Sequence, residues 1–347
     1  MLNVNEHPVI KLIKDRMREG SLPNKRSEND KNKLGLAIEG GGMRGIVSAG
    51  MVTAIEYLGC LDAFDVVYGS SAGAINGAYL LSNQAALGTT IYYENINNNN
   101  FIDFKRIFSK RSVMSLEFML DYVAAKEKVL DLDAVRSSNI PLKVIASSLT
   151  NLKATVFESF KSNSELVEAL RASARIPLVG GEPVSIGNDT FLDALLFESI
   201  PYESVKYEKG VRENGCTHIL TLCTRPRGVY RNQSSFIEKY IIAPLLRKYN
   251  NKLSDIYLSR SIKYDKVIDI LINHLENPFN SDFTHFNYPV FLPSGMEPVG
   301  RMEKNRSKLV NGAKEGMKAV IQAITSETYS ATEVIFPYNF LGRKPHL

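Results

Sequence analysis

Apolar positions recur along this chain with two different periods, and the switches between them mark out its elements. Val9, Ile10, Leu12, Ile13 and Met17 fall at helical spacing among lysines and arginines, so residues 8–19 are expected to form an amphipathic helix. The polar stretch SLPNKRSENDKNK that follows reads as a linker. LGLAIEG, beginning at Leu34, is an apolar run of strand length ending in glycine, and GIVSAGMVTAIEYLG after it has a helical pattern. FDVVYG is a second strand candidate, followed at once by the helical AGAINGAYLLS. Strand–turn–helix repeated in this way predicts an α/β fold with a largely parallel central sheet covered by helices.

Beyond the polar loop INNNNF, PLKVIASSL and KATVFES read as further strands. SNSELVEALRASARIP reads as a helix with Ser162 or Ser164 as its cap, stopping before Pro177. THILTLCT has the composition of a buried strand. From about residue 232 onward the pattern is mostly helical, with a strand-like NYPVFLP near 288. No internal repeat and no clear second-domain boundary appear.

Composition narrows the classes. No stretch reaches the roughly 18–20 apolar residues of a membrane span, and the N-terminus lacks the basic and apolar regions of a secretory signal. A cytoplasmic location is therefore expected, with membrane association left open. Three cysteines, Cys60, Cys216 and Cys223, are too few and too scattered for a disulfide framework or a zinc site. The net charge of +5 comes from scattered residues, which gives no footprint for nucleic acid. The stripe of residues 8–19, flanked by Lys11, Lys14, Arg16 and Arg18, has two readings: packing on its own domain, which is favoured, or peripheral contact with an anionic membrane.

Candidate chemistry sits in the turns. Gly69-Ser70-Ser71-Ala72-Gly73 is a G-x-S-x-G sequence between a strand and a helix. Small neighbours Gly69 and Gly73 permit a sharp turn that exposes the Ser71 hydroxyl, and the Ala72 N–H at the helix start is a natural oxyanion donor. Gly40-Gly41-Gly42-Met43-Arg44-Gly45 forms a second glycine-rich turn whose amides suit an anion. Taken alone, Gly40, Gly42 and Gly45 also fit a dinucleotide fingerprint. The acidic residue that fingerprint needs would be Asp65, which lies at the wrong end of the second strand. A serine nucleophile needs a base. None of His7, His218, His274, His285 and His346 has an obvious catalytic context, although His274 and His285 stay open. No metal motif is present, and no cofactor is implied.

The succession EGGGMRG, GSSAG, a helix ending ASARIP, and LDAL resembles the patatin-like phospholipase family, in the same order, from about Leu34 to Pro201. The resemblance implies a three-layer patatin-like fold, with a catalytic domain at 34–230. Residues 1–33 would form an N-terminal helix and linker, and 231–347 a mostly helical portion packed on the same domain. It also implies a Ser–Asp dyad without histidine, with Ser71 as nucleophile and Asp193 as base. The oxyanion hole is then the glycine loop of Gly40, Gly41, Gly42 and Gly45, with Arg44 beside it and Ala72 opposite. Arg44 either holds a substrate phosphate or steadies the loop, or instead pairs with a buried carboxylate.

The implied activity is hydrolysis of a fatty-acyl ester of a phospholipid or lysophospholipid. Neutral-lipid hydrolysis, thioester hydrolysis and acyl transfer are related chemistries on the same fold. One departure matters: Asp193 is followed by Ala194 where the family has glycine. If the backbone there needs positive φ, alanine costs roughly 1–2 kcal/mol, and the chain would be a weakened, lipid-binding relative.

Overall fold

The computed structural model describes residues 7–109, 111–207, 215–231 and 235–326, together with strand pairs at 334–335 and 339–340. Among the histidines considered above, His346 lies outside the described residues. The elements in order are α1 (Pro8–Arg18), β1 (Leu34–Ile38), α2 (Gly45–Leu58), β2 (Val66–Ser70), α3 (Ala72–Leu81), α4 (Ala85–Glu94), α5 (Leu132–Ser137), β3 (Leu142–Ser148), β4 (Lys153–Phe157) and α6 (Asn163–Ala174). There follow β5 (Val184–Ile186), β6 (Asp189–Leu192), α7 (Tyr202–Lys206), β7 (His218–Pro226), α8 (Ala243–Leu246), α9 (Leu253–Glu276), β8 (Phe286–Leu292) and α10 (Arg306–Thr325). β9 (Val334–Ile335) and β10 (Asn339–Phe340) form a separate antiparallel pair.

The central sheet runs β5-β6-β3-β2-β1-β7-β8, with β4 also on β3. Its middle, β3-β2-β1-β7-β8, is parallel, and β4, β5 and β6 are antiparallel additions. Each parallel strand is buried on both faces and splits its side chains between two cores. Leu34, Leu36 and Ile38 face the larger layer with α1, α2, α3, α6 and α10. Ala37, Val66, Tyr68, Ile145 and Ile219 face the opposite side, where Val205 of α7 meets them. α9 extends that second side, its Tyr264, Ile268 and Leu271 packing with Cys223 and Tyr202. This is the expected three-layer α/β arrangement. All three cysteines are buried. Ser162, not Ser164, caps α6, its hydroxyl accepting from the Glu165 N–H at 3.2 Å.

From β1 the chain proceeds outward to β2 and β3, then returns to the other flank of β1 as β7 and β8. The order thus reverses between β1 and β7, the kind of switch point where loops at the carboxyl ends leave a crevice. Registers align those ends: Ile38 pairs with Gly69 of β2 and with Leu222 of β7.

The α1 stripe faces inward. Val9, Ile10 and Ile13 are fully buried in the main core, so this face is not free to meet a membrane. Arg16, counted above among the flanking cations, is buried too. It pairs with Asp30 at 2.8 Å and Asp65 at 2.7 Å and donates to the Ala63 and Asn32 carbonyls. Ile13→Asp is expected to destabilise the protein by about 3–5 kcal/mol, because it buries an unpaired charge. Thermal melting measures this, and vesicle flotation of the same variant should match wild type.

Asp65 also accepts from the Leu34 N–H at 2.7 Å and pairs with Arg26. It is a structural clamp at the amino ends of the strands, remote from the glycine loop, which removes the dinucleotide reading. Among the described residues, no helix is long and apolar enough to cross a membrane.

Candidate active site

Ser71 follows β2 immediately and caps α3 with φ 55° and ψ −128°. A non-glycine residue with such angles is strained, by about 1–3 kcal/mol, and persists only where surroundings enforce it. Here the enforcement is steric. A Cβ on Gly69 would lie 2.3 Å from the Ala74 Cα, and one on Gly73 would lie 2.3 Å from the Ile38 carbonyl oxygen. The turn can therefore be this tight only with glycine on both sides. The Ser71 N–H donates to Ser173 Oγ at 2.8 Å, and Ser70 turns away, donating to the Glu198 carbonyl at 2.7 Å.

Asp193 follows β6 at the end of a short hairpin. Its Oδ2 accepts from the Ser71 hydroxyl at 2.6 Å, and its Oδ1 from the Leu195 N–H at 2.8 Å. Its own backbone is held at both ends. The N–H donates to the Arg175 carbonyl and the carbonyl accepts from the Ser147 hydroxyl, each at 2.8 Å. Asp193 is 1 % exposed and Ser71 6 %. Burial pushes the Asp193 carboxyl up to about 6, although the Ser71 and Leu195 hydrogen bonds and the more distant Arg301 and Arg231 favour its charged form. The carboxyl is thus held closer to neutrality than an ordinary aspartate, in direct contact with the hydroxyl.

The glycine loop faces the same space. Gly40, Gly41, Gly42, Ser71 and Asp193 line one cavity of about 160 Å³. Gly40 passes so close to the Ser71 turn that a Cβ would sit 2.2 Å from the Ser70 carbonyl oxygen. Gly42 has φ 60°, and the Met43 N–H beyond it is tied to the Arg301 carbonyl at 3.0 Å. The N–H groups of Gly41, Gly42 and Ala72 have no protein acceptor among the described residues. Gly45 lies behind the loop, against the Ala72 methyl and the Tyr92 hydroxyl.

Arg44 does not line the cavity. It lies beneath the loop, its Nε donating to Thr224 Oγ1 at 3.1 Å, with Gly41 packed over the guanidinium. Thr224 Oγ1 in turn donates to the Gly40 carbonyl. Arg44 steadies the loop, and it has no direct ion pair with Glu39, whose carboxylate accepts from the Thr224 N–H and the Tyr264 hydroxyl.

No histidine lies between Ser71 and Asp193. His218 begins β7, at the opposite end of the sheet from Ser71. His274 and His285, left open by the sequence, cluster with Tyr202, their rings 4.7 Å apart, and His7 packs edge-on against Tyr288. Burial lowers His7, His218 and His274 to about 4 and His285 to about 3, so these four are neutral.

Several contributors escaped the sequence reading. Ser173 and Arg175 belong to the ASARIP segment, to which the sequence assigns no site role of its own, yet they position Ser71 and Asp193. Arg231, Ser199, Glu238, Ile242, Tyr257 and Arg301 also line the cavity, and no local pattern marks them. A second, smaller apolar recess opens on the other side of Ser71, lined by Ala72, Ile75, Phe101, Met114, Leu116 and Met119 among others.

Residues 36–206 match the family model described as patatin-like phospholipase. The Escherichia coli (strain K12) protein YjjU, itself named as uncharacterized, is 24% identical over 201 residues, which cover 57% of this chain and 54% of YjjU. The chain thus spans about half the length of that relative. The crystal structure of VipD from Legionella pneumophila aligns with 85% of this chain and 67% of its own, at 13% identity and a TM-score of 0.46. Residues 36–206, just under half of the chain, thus match the patatin-like phospholipase family, whose members are in general lipid hydrolases.

Proposed function

We propose that this protein is a serine acyl hydrolase that cleaves a fatty-acyl ester of a phospholipid or lysophospholipid through a Ser71–Asp193 dyad. The observation that carries this reading is the 2.6 Å hydrogen bond from the Ser71 hydroxyl, on its strained turn, directly to the Asp193 carboxylate.

Ser71 Oγ attacks the ester carbonyl while Asp193 takes the hydroxyl proton. Charge develops on the carbonyl oxygen, where the N–H groups of Gly41, Gly42 and Ala72, together with the positive end of α3, stabilise it. The proton passes to the leaving alcohol. Water, deprotonated by Asp193, then releases the fatty acid from Ser71. The apolar recess beside Ser71 suits the acyl chain, and the larger, more polar cavity suits the alcohol portion.

The weakened, lipid-binding alternative rested on strain at Ala194, and the backbone there lends it no support. Ala194 has negative φ, in a short turn begun by Asp193 at φ −46°. Contact with a lipid surface falls to the segment around residues 236–245 rather than to α1. Phe236, Ile237, Tyr240, Ile241 and Leu245 of that segment are exposed, while its Glu238 and Ile242 line the cavity.

A fluorophosphonate reagent tests the reading. The adduct should map to Ser71, and a panel of phospholipids and lysophospholipids should yield free fatty acid. Labelling at another residue, or no fatty acid from any lipid, would overturn it.

A further inference from the structure

Two arginines from beyond residue 206, outside the matched family region, enter the catalytic cavity: Arg231, shortly after β7, and Arg301, just before α10. Arg231 Nη2 donates to Ser199 Oγ at 2.7 Å, and its guanidinium lies over the Tyr264 ring, 4.3 Å from the centroid. Its Nε and Nη1 are buried and have no hydrogen-bond partner. More cations crowd behind: Arg44, whose Nη2 is also buried without a partner, Arg225 over the other part of Tyr264, and Arg260.

The nearby carboxylates are committed elsewhere. Glu238 pairs with Arg260, Glu39 is held by Thr224 and Tyr264, and Asp193 is held by Ser71 and Leu195. Asp265 accepts only from the Arg231 backbone N–H, at 2.9 Å. Among the described residues, neither Arg231 nor Arg301 has an ion-pair partner. Burial, followed by Arg301, Arg225 and Arg44, depresses the Arg231 pKa well below its ordinary value, while Tyr264 opposes this. Guanidinium N–H groups held away from water without a partner are costly, a cost that a bound anion would offset. Guanidinium matches a tetrahedral phosphate with paired, charge-assisted donors.

We infer that Arg231 and Arg301 form a phosphate-binding subsite that holds the head-group phosphate of a glycerophospholipid substrate while its acyl ester lies at Ser71. The inference rests on the hydrolase reading and deepens it: the site selects an ester whose alcohol carries a phosphate, against the neutral acylglycerol of the same chain. The subsite is supplied by the C-terminal portion of the chain, so selectivity and bond cleavage come from different stretches of sequence.

The test compares kcat/KM for a lysophosphatidylcholine and for a monoacylglycerol of equal chain length, in wild type, Arg231→Met and Arg301→Met. Each variant should lower the ratio of the two values roughly 10- to 100-fold, and Arg231→Lys should recover part of it. Melting temperatures of the methionine variants should equal or exceed wild type, since a repelled charge is removed. Equal losses on both substrates, or an unchanged ratio, would overturn the inference. If inorganic phosphate binds and inhibits with the ratio unmoved, the subsite serves free phosphate, which also overturns it.

The hydrolase reading fails separately, if wild type turns over neither ester and Ser71 takes no fluorophosphonate. Equilibrium binding of the two lipids to Ser71→Ala protein needs no turnover. Preference for the lysophospholipid, lost in the double variant with Arg231→Met, is the supporting result there, and equal binding of both lipids the opposing one.

Discussion

Ser71→Ala should abolish ester hydrolysis, with a loss on the order of 10⁴-fold or more, as for removal of a catalytic nucleophile in other serine hydrolases. The acyl-enzyme cannot form without the hydroxyl, and nothing else in the cavity replaces it. Ser70 provides the internal control. Its hydroxyl is committed to the Glu198 carbonyl, so Ser70→Ala loses one buried hydrogen bond, about 1 kcal/mol of stability, and keeps measurable turnover. Fatty-acid release by the two variants at equal folded concentration decides the matter. Comparable rates in both would show that the wrong serine has been assigned.

Asp193→Asn should cost on the order of 10²-fold or more in kcat/KM. The amide can still accept from the Leu195 N–H and face Ser71, but it cannot take a proton. Its pH behaviour follows from the raised carboxyl pKa. The base works only when ionised, so wild-type kcat/KM should rise with pH through about 6 and level off above it.

Stability runs the other way. A carboxyl whose folded pKa lies above its unfolded value favours the native state at low pH, and that contribution is lost as pH rises through the folded pKa. At pH 8 the buried charge of Asp193 therefore opposes folding, by an amount on the order of 1–3 kcal/mol. Asp193→Asn should melt higher than wild type at pH 8 and about equally at pH 4. A variant that is more stable yet nearly inactive separates a chemical role from a structural one. Full activity in Asp193→Asn would sink the dyad.

Legibility in the sequence followed the range of the interactions. β1, α2, β2 and α3 were readable because period and length are local, and glycine flanks a tight turn for local steric reasons. The Ser71 turn was therefore visible from five residues. The Ser71–Asp193 pairing was available only through resemblance, since 122 positions separate the two residues and no local pattern links them. Arg231 and Arg301 were illegible for a further reason. Their environment is made by elements far apart in the chain, and an arginine in a mixed helical region looks like any solvated cation. Arg16 shows the same blindness: its residue type reads as a solvated cation, yet three residues after Ile13 and seven after Val9 it lies on the buried face of α1, where Asp30 and Asp65 pair with it. The buried histidines show the reverse case, since their residue type suggested chemistry and their surroundings are structural.

Ala194 carries a lesson about what a signature encodes. The glycines that follow the base in related chains suggest a backbone angle open only to glycine, yet here the chain turns with ordinary angles. The alanine methyl is fully buried against Tyr68, Ile145 and Val205 in the core behind the sheet. Asp193 is fixed by the hairpin before it and by Ser147 and Arg175 beside it, not by the residue after it. A search keyed to the flanking glycine would pass over this chain, whereas one keyed to the distance between a strained serine and a buried carboxylate would find it. For divergent members, geometry is the more durable identifier.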